Sequence, residues 1–242
     1  MATDLGTMLW KEWKEFLAYG GGRRGPLSLL IMVGVAGVFL PLSLSRVWLS
    51  SPVPVLIAVY IPLVMVTTVI ADSFAGERER HTLETLLASR LSELSMLLGK
   101  VGAAVLYAWV LALASLLVAL VTANVAAPAA GGIRLYSLPT GLAAFSMSFL
   151  VSVLWAALGV LTSLRAATVR QAQQRLSVAM LVVFLIPGFA LGALPSGIRS
   201  ALLGGSTNGP SAGVIGALVL VVLDAVLLAV ASARFRRDQL IS

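Results

Sequence analysis

The sequence predicts an all-α membrane protein with six transmembrane helices, and three observations carry that prediction. Charged residues make up 11% of the chain and hydrophobic residues 59%, with a mean hydropathy of +1.00. A soluble domain carries about 25% charged residues, so this surface is suited to lipid rather than water. Apolar stretches near the roughly 20 residues that a helix needs to cross the hydrocarbon core recur at about 27–45, 53–71, 101–123, 138–162, 177–195 and 212–232. None of them alternates apolar and polar residues in the manner of a barrel strand. Together they fill nearly all of the 242 residues, so a single transmembrane domain over residues 1–242 is expected, with no soluble domain left over.

Ahead of the first span, residues 4–17 (DLGTMLWKEWKEFL) read as an amphipathic helix lying in the membrane interface. Leu5, Leu9, Trp13, Phe16 and Leu17 share one side, Lys11, Lys14 and Glu15 lie opposite, and Glu12 intrudes on the apolar edge. A cleaved signal peptide is not expected, because the apolar run starts only after residue 25 and no small-residue cleavage site follows. Gly20–Gly22 form a flexible corner before Pro26 opens the first span.

After the second span, Asp72 is expected to close the helix and Gly76 to permit a sharp change of direction. Thr82 then suits an N-cap and Glu84 the positive end of a helix dipole. Leu83, Leu87, Leu91, Leu94 and Leu98 form one stripe, so this segment reads as a short helix along the membrane, with Gly99-Lys100 marking re-entry into the third span. Connections on the other side are short, at about 46–52, 124–137 and 196–211, the last of which suits a short re-entrant or surface helix. Small residues at helical spacing allow close helix contact: Gly34 and Gly37 in the first span, Ser148, Ser152 and Ala156 in the fourth.

Orientation follows from the 17 Lys and Arg residues. All but Arg46, Arg134 and Arg199 fall on one side, which makes both termini and the 72–100 and 165–175 loops cytoplasmic. The net charge of +7 is therefore a topology signal and gives no reason to invoke nucleic acid. Cysteine is absent, which excludes disulfides, thiolate metal sites and a cysteine nucleophile. A P-loop needs G-x-x-x-x-G-K-[S/T]; LSMLLGKV has the Gly-Lys without the first glycine or the Ser/Thr, and GGGRRGP has no Lys-Ser/Thr. Intramembrane proteolysis needs Ser/His or paired aspartates, whereas Asp224 stands alone in LVVLDAVLL. No catalytic residue and no metal site is expected.

Charge concentrates in DSFAGERERHTLETLLASRLSELSMLLGK, residues 72–100, which also holds the only histidine, His81. By composition alone this is a solvated loop or a docking element. Its order resembles the signature of ABC-2 type permeases, the membrane subunits of many ATP-binding-cassette exporters. The match runs through Phe74, Glu77, Arg78, Glu79, Thr82, Leu83, Glu84, Leu86, Leu87, Leu91, Gly99 and Lys100, with His81 where glycine is usual and Arg90 where proline is usual. The resemblance implies that residues 74–92 form a coupling helix seated in a groove of a separate ATPase subunit, contacted through Glu77, Arg78, Glu79, Thr82, Glu84 and Leu87. Two ATPase subunits would bind the ATP and Mg2+, while this chain binds no cofactor itself. Arg165, Arg170 and Arg175 fit either a second contact or a solvated loop, and residues 4–17 an anchor, a lateral gate or an ATPase contact. A second permease chain, identical or related, is implied, in the plasma (inner) membrane of a prokaryotic cell.

Two other classes remain in play. A non-transporting anchor or mechanotransmitter typically has a sizeable external domain, and none is expected here. A channel or secondary transporter often shows repeats and broken paired helices, which are not seen. Asp224 reads either as a protonated or hydrogen-bonded bridge to another span, or as a residue lining the translocation route or subunit interface. His81 suits a proton sensor or an ordinary polar residue.

Overall fold

A computed structural model describes residues 6, 9–14, 25–44, 47–79, 93–128, 132–193 and 212–234. These residues form helices and connections, with no strand among them. Helix α1 comprises residues 9–14. Helix α2 runs as Gly25–Gly34, a π-helical turn Val35–Phe39 and Leu40–Ser43. After a 3-10 turn at Trp48–Ser50, α3 runs as Val53–Ala71, a π-helical turn Asp72–Gly76 and Glu77–Glu79. Then follow α4 (Glu93–Ala126), α5 (Leu138–Ser163), α6 (Val169–Ala193) and α7 (Ala212–Arg234).

Among the described residues, four helical segments are long and apolar enough to cross a membrane: Val53–Glu79, Leu94–Ala126, Leu138–Ser163 and Gly216–Arg234. Leu29–Ser43 is a shorter apolar helix. Helix α3 occupies the centre. It packs most extensively on α5 and next on α4, while α7 lies against α5 and the π-helical turn of α2 lies against α4. Ile61, Val66, Ile70, Met96, Leu97, Trp155 and Val160 fill the core between them. Lipid gives no hydrophobic drive between helices, so close van der Waals contact must hold them. Gly159 makes that possible, since a Cβ there would stand 2.5 Å from Cγ2 of Ile70. Gly37 does the same for α2, where a Cβ would lie 2.9 Å from Cγ1 of Val118; Gly34 meets nothing. Ser148, Ser152 and Ala156 are buried, as close contact along α5 requires. Leu117 and Val121 on α4 and Leu218 and Val222 on α7 are exposed, an apolar surface suited to a lipid surrounding.

Three boundaries differ from those expected. Asp72 does not close its helix and Gly76 makes no sharp turn; both lie within the π-helical turn that carries α3 on to Glu79. The reason is an exchange of partners: the Ala75 N–H donates to Ser163 Oγ on α5 (3.1 Å), and Gly76 leaves room where a Cβ would meet Asp72 Oδ1 at 2.5 Å. Gly99-Lys100 does not start the third helix but lies inside α4, which begins at Glu93. Residues 170 and 175 are not in a loop, because α6 already starts at Val169. Thr168 Oγ1 accepts from Gln171 N–H (3.2 Å) and Gln171 Oε1 accepts from Ala167 N–H (2.9 Å), a reciprocal arrangement of the capping-box kind that starts a helix in polar sequence. The leucine stripe from Leu83 to Leu91 and the 196–211 connection lie outside the described residues.

Candidate functional site

The three consecutive charges that end α3 each bind a different part of the chain. Glu77 Oε1 accepts from Lys100 Nζ of α4 at 2.8 Å. The Arg78 guanidinium reaches past the end of α5, donating from Nη1 to Ala166 O (2.8 Å) and from Nη2 to Leu164 O (3.1 Å). Those carbonyls lie at the negative end of α5, where a planar cationic fork is favoured. Glu79 Oε2 accepts from Val169 N–H (3.2 Å), placing a carboxylate at the positive start of α6. A Glu-Arg-Glu run thus holds three neighbouring helices at once.

Lys100 is the hub. It is 1% exposed, in a helix otherwise suited to lipid, and each of its three N–H groups has an acceptor: Glu12 Oε1 at 3.0 Å, Glu77 Oε1 at 2.8 Å and the Ser73 carbonyl at 3.0 Å. The Phe74 ring adds a cation–π face, its centroid 5.5 Å from Nζ. An unpaired ammonium would not survive such burial; pairing and full hydrogen bonding make it tolerable. Glu12, the residue that spoiled the apolar edge of the amphipathic segment, is 2% exposed and faces Lys100. Sequence reasoning missed this pairing, although a carboxylate on the greasy side of α1 and a lysine within an apolar run were both visible signals.

The candidate contact residues therefore divide. Glu77 and Arg78 are half-buried and bonded within the chain, Glu79 is exposed, and Thr82, Glu84 and Leu87 lie outside the described residues, as do His81 and Arg90. Arg165, Arg170 and Arg175 are exposed on the same end of the bundle, with Arg175 Nη1 donating to Arg165 O at 3.2 Å. Asp224 is apart from this cluster. It is 5% exposed on α7, and neither carboxylate oxygen has a hydrogen-bond partner among the described residues. Among the described residues, what the charged cluster does is hold helix ends together.

The family model for ABC-2 type transporters matches residues 3–197, about four fifths of the chain. The chain belongs to the ABC-2 type transporter family. Comparison with curated proteins gives no match. Membership makes it a multi-pass membrane permease subunit of an ABC transporter, the component that works with an ATPase subunit rather than the catalytic one. The ABC-2 region spans α1 to α6 and so contains the whole charged cluster, whereas α7 and Asp224 lie beyond it.

Proposed function

We propose that this permease is half of an exporter's membrane pathway, driven by ATPase subunits docked on the segment between α3 and α4. Two permease chains, identical or related, each contribute six spans with both termini in the cytoplasm of a prokaryotic cell. Two ATPase subunits hold the ATP and Mg2+. Residues 80–92 act as the coupling element carried on the end of α3, and Glu79, Thr82, Glu84 and Leu87 meet the ATPase, with Glu77 and Arg78 setting the base of that element. Closing of the ATPase pair carries each coupling helix with it and shifts the spans between inward- and outward-facing arrangements. Arg165, Arg170 and Arg175 add a second, basic contact surface on the same end.

The observation that carries this reading is the anchoring of the signature segment. The charges at its start are bonded to α4, α5 and α6, so a push on residues 80–92 is delivered to several helices rather than lost in a slack loop. Charge pairs at such a contact give register and specificity more than affinity. The test is co-purification of the ATPase subunit with the full chain. Charge reversal at Glu84 together with Leu87→Asp is expected to reduce capture roughly tenfold or more; undiminished capture sinks the docking assignment. Glu77 and Arg78 are poor sites for this test, because their loss disturbs the bundle itself.

Asp224 supports a place on the translocation route or the subunit interface, being a buried carboxylate whose oxygens have no hydrogen-bond partner among the described residues. Asp224→Asn is expected to assemble normally and to weaken transport-coupled ATP hydrolysis in proteoliposomes. Wild-type coupling in that variant removes Asp224 from the mechanism.

A further inference from the structure

We infer that Lys100 is a positioning residue that clamps α1 to the ends of α3 and α4 flanking residues 80–92, making α1 part of the body that an ATPase would move. The last clause rests on the docking proposal; the clamp itself does not. Three contacts lay α1 along one side of α4. Leu9 Cδ2 lies 3.3 Å from where a Cβ on Gly102 would stand, Glu12 bonds Lys100 at 3.0 Å, and the Trp13 ring meets Tyr107 edge-on with centroids 6.3 Å apart.

A helix that merely floats in the interface needs an apolar face and basic groups toward the headgroups. It gains nothing from a carboxylate on its apolar side, because burying an unpaired charge is costly. Position 12 makes sense only with a fixed cation opposite it. Lys100 supplies that cation, and it uses its other two N–H groups on Glu77 and the Ser73 carbonyl of α3. One ammonium thus joins three elements. A directional charge contact of this kind fixes register as well as proximity, so α1 is held at one place along α4 instead of sliding in the interface.

The chain has no cysteine, so L9C/G102C in membranes containing the full chain reports the α1–α4 contact as a disulfide-forming rate. On that background, Glu12→Gln is expected to slow cross-linking roughly tenfold, the effect of removing a buried hydrogen bond to a charged group. Glu12→Asp is expected to keep most of the rate. If Glu12 only fills space, the order reverses, since Gln is the closer match in size; that order, or an undiminished rate in Glu12→Gln, overturns the clamp. Should single variants misfold, E12Q/E77Q/K100M removes all three charges at similar volume and is expected to elute as the parent does while cross-linking slowly. In the complex, the ATPase subunits are expected to hydrolyse ATP as fast with the cross-linked permease as with the uncross-linked one. A block by the cross-link overturns the claim that α1 moves with α4. Failure of any ATPase to bind counts against the docking proposal, while the cross-linking rates still decide the clamp.

Discussion

The two ends of the bundle are closed by different chemistry. At the end bearing the signature segment, full charges do the joining: Lys100 with Glu12 and Glu77, Arg78 over the end of α5, Glu79 at the start of α6. Among the described residues the contacts at the opposite end are neutral apart from Arg134 Nη2, which donates to Ala127 O at 2.6 Å. Trp48 Nε1 donates to Tyr136 Oη (3.2 Å), and the Tyr136 hydroxyl donates to Leu116 O (3.0 Å), above the buried Ala119 and Ala123. The Asn124 side-chain amide then folds the α4–α5 connection back on itself, donating from Nδ2 to Arg134 O and accepting at Oδ1 from the Arg134 N–H, each at 2.8 Å. Neutral hydrogen bonds lose little when shifted and are worth about 1 kcal/mol each. A buried ion pair is different, because losing one partner strands the other charge. The charged end is therefore the less forgiving of the two, as the proposed docking of an ATPase there would require.

The sharpest break of this asymmetry is Lys100→Met. It leaves two carboxylates buried around an apolar side chain and is expected to cost about 3–5 kcal/mol, read as a large fall in the thermal unfolding temperature of the nanodisc-embedded chain. Adding Glu12→Gln and Glu77→Gln is expected to recover much of that loss, since it is the stranded charge rather than the missing bond that destabilises. If the triple variant is as unstable as Lys100→Met, charge burial is not what governs this end. Arg78→Gln comes next. It removes two charge-assisted bonds from a half-buried site and is expected to cost roughly 1.5–3 kcal/mol. A cost below that of Tyr136→Phe at the neutral end would reverse the ranking of the two ends.

Much of this was legible in the sequence, and the part that was not has a physical pattern. Apolar runs announce helices because lipid demands them, and the residues from Phe74 to Lys100 announce the family because their order is specific. Helix ends were harder. Asp72 and the charges after it look like an exit from the bilayer on hydropathy, yet α3 continues because those charges find partners on other helices. The start of α6 was readable in principle from Thr168 and Gln171, whose spacing is that of a cap. The Lys100–Glu12 pair was not. Its members are 88 residues apart, and periodicity along one helix says nothing about which neighbour will cover it. Only the two flaws were visible, a glutamate on an apolar edge and a lysine beside an apolar run, and not that they pair.

The smallest effect is expected at the neutral end, and its pH dependence identifies it. Tyr136→Phe removes the donor to Leu116 O and leaves the fully buried Trp48 N–H without an acceptor, a loss of about 1–2 kcal/mol. Burial raises the Tyr136 phenol above its ordinary value of 10.0, and the Trp48 hydrogen bond opposes this only in part. The folded state therefore holds the phenolic proton more tightly than the unfolded state does. That contribution is complete below pH 10 and is lost as pH climbs from there toward the raised folded value. The gap in unfolding temperature between parent and Tyr136→Phe should accordingly stay constant through neutral pH and close above pH 10. The gap between parent and Lys100→Met should be insensitive to that residue's ionisation, because Lys100→Met leaves Tyr136 in place in both chains. A Tyr136 gap that stays open well above pH 10 means the hydroxyl acts through packing alone, and the contrast between a neutral and a charged end then rests on Trp48 and the backbone of residues 124–134.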